Sequence, residues 1–106
     1  MAEVFTNATL RNISNTVNQT VYTAPTGTQS VVHSLFISNK SSSDVRVDIA
    51  YDNLAVSTYL GKDVFIPANA TLVWDKPINI LPTHRILMQS DTLDSCDVFM
   101  SVLEIS

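Results

Sequence analysis

A chain of 106 residues can enclose one hydrophobic core but not two, so it reads as a single domain. With 45% apolar and only 15% charged residues and a mean hydropathy of +0.17, it is too apolar to be a disordered or charge-driven chain. A net charge of −4, with Arg11, Lys40, Arg46, Lys62, Lys76 and Arg85 scattered and no aromatic pair interleaved among them, argues against a nucleic-acid partner.

The opening MAEVFTNATL lacks the basic start and apolar run of a secretory signal, so the mature protein is expected to begin here. No stretch approaches the roughly 18 to 20 apolar residues that cross a bilayer, and no membrane partner is expected. Phe5 to Ser14 alternates imperfectly and reads as an edge strand or as an arm that reaches along or beyond the body. Residues 1–19 are therefore assigned to an N-terminal arm or edge strand and residues 20–106 to a sandwich domain.

Thr20-Val21-Tyr22-Thr23 is a β-branched and aromatic run closed by Ala24-Pro25-Thr26-Gly27, where proline fixes φ and glycine permits a positive one. Val31 to Ser38 is a second run, ending in the polar cluster Asn39 to Ser43, whose serines suit a mobile hairpin tip. Val45 to Tyr51 alternates apolar with polar or small residues, the period of a strand with one buried face. Asp52 to Ser57 reads as an excursion that could change sheets. Thr58-Tyr59-Leu60 starts a run interrupted by Gly61-Lys62-Asp63 and resumed by Val64-Phe65-Ile66. Turns at Pro67 to Ala70, Asp75 to Pro77 and Pro82 then separate Thr71 to Trp74, Ile78 to Leu81 and Arg85 to Gln89.

In the last strand, Asp97 to Ile105, one face carries Val98, Met100 and Val102 and the other mainly Phe99, Leu103 and Ile105. Two apolar faces suit a central strand covered by the opposite sheet and by a neighbouring subunit, or a central strand with a thinly covered outer face. No window holds a helical apolar stripe free of strand signals. Roughly seven to nine short strands predict an all-β fold, a single antiparallel β-sandwich of immunoglobulin-like or jelly-roll type. The Cys and Trp spacing of true immunoglobulin domains is missing.

Four segments carry a resemblance: the opening "VYT-x-P-x-G", "SLFISN", "VFIPANATLVWDKPINILPTHRILMQS" and the closing "DVFMSVLEIS". Together they resemble the small β-sandwich virion structural proteins of tailed bacteriophages, over roughly Thr20 to Ser106. Members sit on capsids, necks and tails. Pro67-Ala68-Asn69-Ala70 and Leu81-Pro82-Thr83-His84 stand where the family's turns are usually richer in glycine. The resemblance implies a fold and a structural role in the particle.

Residue types for chemistry are present but unsupported by spacing. Cys96 with His33 or His84 and an aspartate could form a nucleophilic arrangement, yet no local signature surrounds Cys96, which suits a small buried hydrophobe. Asp91, Asp94 and Asp97 form the only acidic cluster, without the glycine and ligand spacing of a Ca²⁺ loop. His33, His84 and Cys96 match no zinc spacing, and His84 is expected to be solvated. No catalytic residue, metal or cofactor is assigned. Asn7, Asn12, Asn18, Asn39 and Asn69 each begin an N-x-Ser/Thr triplet and are read as turn and strand residues. Trp74, Tyr22, Tyr51 and Tyr59 could line a sugar-binding surface, although a lone Trp on a small sandwich is more often a core or interface anchor.

The expected function is therefore non-enzymatic: a virion structural protein, assembled in the host cytoplasm, that binds other virion proteins, the major capsid protein first, and copies of itself. A capsid decoration or cement role is preferred; a neck or tail component, or a carbohydrate-binding host-recognition module, is the alternative. Abundant Ser, Thr and Asn make a surface whose uncharged groups lose less electrostatic solvation on burial than charges would, or simply reflect the preference of Ser and Thr for strands and turns. The candidate interface residues are Phe5, Leu10, Ile13, Trp74, Phe99, Leu103 and Ile105.

Overall fold

The computed structural model describes residues 3–106. They form nine strands and no helix: β1 Glu3–Leu10, β2 Gln19–Thr23, β3 Gln29–Asn39, β4 Val45–Asp52, β5 Ser57–Ile66, β6 Thr71–Trp74, β7 Ile78–Ile80, β8 Arg85–Ser90 and β9 Cys96–Ile105. Residues 1 and 2 of the expected N-terminal segment lie outside the described residues.

Two antiparallel sheets face each other. One has the order β1-β9-β3-β6, with β7 pairing the other half of β3, and the second has the order β2-β8-β4-β5. The chain changes sheet at every connection except β4–β5 and β6–β7. Counting β6 and β7 as one broken edge strand, this is the two-sheet jelly-roll order, and of the two sandwich types expected it is the one formed. Asp52 to Ser57 does not change sheets. It is a tight hairpin loop in which Asn53 Oδ1 accepts the amides of Ala55 and Val56, so β4 and β5 remain neighbours.

The core lies between the sheets and follows the strand period. From β9 come Val98, Met100 and Val102, from β3 Val32, Leu35 and Ile37, and from the second sheet Val45, Val47, Ile49, Ile86 and Met88, all buried. In β3 the spacing between Val32 and Leu35 is three, not two, because a bulge at His33 shifts the register against β9. β1 pairs residue for residue with β9 from Glu3 to Leu10 and lies as an edge strand of the larger sheet.

β5 is one strand, not two runs. Gly61-Lys62-Asp63 is absorbed by register shifts against β4 in which Asp63 takes a positive φ of 52° and its amide donates to Asp48 Oδ1 at 2.8 Å. Gly61 sits opposite Ile49 where a Cβ would lie 2.7 Å from Val64 Cγ2. Gly61→Ala is expected to cost about 1–3 kcal/mol, because a branched side chain on a paired strand has little room to yield. A urea titration that gives an unchanged midpoint and slope would show that Val64 turns away freely.

At one end of the sandwich the loops after β1, β3, β5 and β8 are tied together. Ile13 N donates to Cys96 O at 2.8 Å, Lys40 N to Ser95 O at 2.8 Å and Asn69 N to Ser41 O at 3.2 Å. Asn39, 2% exposed, stands at their centre. At the other end Ala24 N donates to His84 O at 3.0 Å and Thr83 N to Ala24 O at 2.9 Å, which joins the β2–β3 turn to the loop before β8.

Candidate assembly interface

The outward face of the larger sheet is set by strand parity. Because Val98, Met100 and Val102 point into the core, Phe99, Ser101, Leu103 and Ile105 must point out. Residues opposite one another in a sheet share a face, so β1 adds Phe5, Asn7 and Thr9, β3 adds Val31, Ser34 and Phe36, and β6 adds Thr71 and Val73. The middle of this face carries no charge. Phe5 is 72% exposed, Val73 55% and Phe99 41%. Phe36 and Phe99 stand directly opposite, with ring centroids 6.3 Å apart, and Phe5 meets the ring of His33 edge-on at 6.2 Å. Charge enters at the ends of the face, at Glu3 and at Asp97, whose carboxylate pairs with Lys40 at 3.0 Å, and at the edge between β6 and β7, where Asp75 and Lys76 line a shallow pocket with Val73. Burial pushes the Asp97 carboxyl up, but the Asn12 amide and Lys40 outweigh it and hold it below the usual carboxylate range.

The smaller sheet presents the opposite chemistry. Arg46 lies over the Phe65 ring at 5.4 Å and Lys62 over the Tyr59 ring at 5.3 Å. Lys62 Nζ is 3.1 Å from Asp48 Oδ2, and that hydrogen bond raises the affinity of the amine for its proton. Arg85 pairs with Asp52 and holds its carboxyl below the usual range. Phe65 and Tyr59 are about half exposed but each lies under a cation; Lys62 is held in turn by the Asp48 carboxylate and Arg46 by the Asp63 carbonyl. A partner would have to strip those pairs of water, which costs more than covering bare apolar surface.

Phe5, Phe99, Leu103 and Ile105 of the expected interface lie together on the neutral face, the last two half-buried. Leu10 is half-buried on the inward side of β1 and packs against the core. Ile13 is fully buried, so it is a core residue and not an interface one: its amide is held by Cys96 O, which draws the loop after β1 inward. Trp74 is opposite Leu35 and packs on the core, and its Nε1 is buried with no hydrogen-bond partner among the described residues. Phe36 and Val73 were not singled out in the sequence. The bulge at His33 hides the parity of Phe36, and Val73 sits in a four-residue strand too short to show a period.

The four rings considered for sugar binding do not converge. Tyr22 and Tyr51 turn into the sandwich, where Tyr51 accepts the Leu81 amide at 3.1 Å and its hydroxyl lies 2.7 Å from His84 Nδ1. That bond leaves His84 half-buried, only partly open to the solvent expected around it. Tyr59 is on the smaller sheet's outer face, far in topology from Trp74. His33 is exposed on β3, while Cys96 is buried with its thiol pushed up by that burial, the direction that leaves less thiolate. Among the described residues no three acidic, His or Cys side chains are placed to hold a metal ion.

Tyr22 joins the two sheets. Its hydroxyl donates to Glu104 Oε2 at 2.5 Å and takes a contact from Ser30 Oγ at 2.8 Å; burial and that carboxylate push its phenol up to about 12. A folded-state value above the unfolded one means the stabilisation is complete below pH 10.0 and lost as pH rises towards about 12. Tyr22→Phe is expected to remove about 1 kcal/mol of that alkaline loss, with half-exposed surroundings already discounted. An ultraviolet titration of the difference between the two proteins should centre near 12, and a centre near 10 would break the link to Glu104.

No family model matches the chain, and no curated protein matches it. Among solved structures it is similar to a chain of the acid-stable capsid structure of Helicobacter pylori bacteriophage KHP30, with a TM-score of 0.61 and 8% sequence identity over 99% of this chain and 89% of that one. At that identity the likeness is one of fold.

Proposed function

We propose that this protein is a non-enzymatic structural component of a bacteriophage particle, and that it decorates the capsid by laying the neutral face of its larger sheet on other virion proteins. The observation that carries the proposal is the asymmetry of the sandwich: exposed Phe5, Phe99 and Val73 without charged neighbours across the middle of one face, paired charges and rings flanked by cations on the other. Covering one large apolar side chain contributes about 1.5–3 kcal/mol at most, so a single copy binds modestly and many copies on a lattice bind well together. Likeness in fold to a chain from a phage capsid, and turns and strands that resemble those of tailed-phage virion proteins, support the same role. Binding to the shell would follow assembly in the host cytoplasm and would need no cofactor.

A reconstruction of the particle that contains the chain tests this directly. Density for the sandwich across the whole shell is the expected result. Six or twelve copies at a single vertex would move the protein to the neck or tail, and its absence from the particle would end the proposal.

A further inference from the structure

The two sheets have four edges, and three are blunted. β2 is five residues long with a shift in its register, β6 and β7 are short pieces separated by Asp75-Lys76-Pro77, and β5 is broken by its Gly61 to Asp63 irregularity with Lys62 on the edge. Such devices keep edges from pairing with another chain. β1 has none of them. It runs eight residues in unbroken register with β9, without proline or lysine, and among the described residues no other strand pairs with its second side.

We propose that β1 is the seam of a symmetric dimer, in which two copies of this chain pair their β1 strands antiparallel about a two-fold axis at Asn7. The register follows from the ladder and the charges. Opposed residues in an antiparallel pair aim their backbone groups alike, so their numbers must share parity, which leaves axes at Thr6, Asn7 or Ala8 as those that use most of the strand. With the axis at Asn7, Glu3 at the start of each strand faces Arg11 of the other copy, the residue immediately after the strand, so the two formal charges that bracket the paired segment meet. An axis at Thr6 puts Glu3 against Thr9, and one at Ala8 puts Arg11 against Phe5, so only Asn7 matches the charges. The same register brings Val4, 54% exposed on the inward side at the open edge, beside Leu10 of the second copy, which already packs on its own core. Phe5 falls opposite Thr9, the neighbour of Phe99, so the neutral faces of the two larger sheets join into one.

The test is oxidative cross-linking of the intact protein. Asn7→Cys lies on the axis and is expected to form a disulfide-linked dimer, since directly opposed residues stand close enough, whereas Thr9→Cys is expected to stay uncoupled. Native Cys96 is buried and should not compete. In sedimentation, Glu3→Lys should raise the dimer dissociation constant about tenfold through two like-charge contacts, and Glu3→Lys with Arg11→Glu should restore it. A protein that remains monomeric at the highest concentration reached, or cross-linking at Thr9→Cys and not at Asn7→Cys, would overturn the pairing. The seam stands apart from the virion role: a dimer that binds no particle leaves it intact, and a monomer that binds particles removes it alone.

Discussion

Asn39→Ala is expected to lower the free energy of unfolding by about 4 kcal/mol, at the upper end of what one polar substitution does. Asn39 Nδ2 reaches the carbonyls of Ser43 at 2.8 Å, Ile66 at 3.1 Å and Pro67 at 3.1 Å, while its Oδ1 accepts the Ser41 amide at 3.0 Å and the Ser41 hydroxyl at 2.7 Å. One side chain therefore ties the end of β3 to the serine loop and to the turn after β5. Alanine would strand the buried Ile66 carbonyl and break the part-buried bonds to Ser41, Ser43 and Pro67, and each bond that water does not replace costs about 1–3 kcal/mol. In a thermal melt the loss corresponds to a fall of roughly 20 °C for a domain of this size. Asn39→Asp sharpens the test. It keeps the acceptor for Ser41 but aims a second oxygen at three carbonyls, so its loss should ease at acid pH, where a protonated carboxyl can donate again. A cost below about 1 kcal/mol for the alanine variant would show that the loops hold one another without Asn39.

That role was not legible in the sequence, where Asn39 reads only as the polar end of a strand, because its partners lie at 41, 43, 66 and 67 and only the closed jelly roll brings them together. β4 and β9 were legible for the opposite reason: a strand with one buried face writes its period into consecutive residues, as in Val45, Val47 and Ile49 or Val98, Met100 and Val102. Gly61-Lys62-Asp63 looks like a break because glycine and a charged pair mark turns. In the fold the extra length is a bulge, held by the Asp48 carboxylate from the neighbouring strand. Ile13 was misplaced because a single apolar residue among Asn, Ser and Thr has no period to assign it to a face. Of the neutral face, the β9 side could be read from alternation, while Phe36 was masked by the displaced register at His33.

Phe99→Asp combined with Val73→Asp should leave the fold nearly as stable as before and reduce binding to particles that lack the protein by more than about a hundredfold. Both side chains are more than two-fifths exposed, so the free domain loses little by the change. In the bound state each substitution removes apolar cover and adds a carboxylate that must shed water against an uncharged surface, and a hundredfold fall asks for only about 2.7 kcal/mol from the two together. Lys62→Ala and Asp63→Ala, on the other sheet's outer face, should change binding less than about threefold, since their interactions are satisfied within the chain. Salt separates the two faces further. A contact made by the neutral face should persist, or tighten in sulfate, as ionic strength rises, whereas one made by the charged face should weaken as its pairs are screened. Release by moderate salt, together with full binding by the double aspartate variant, would place the contact on the charged sheet instead.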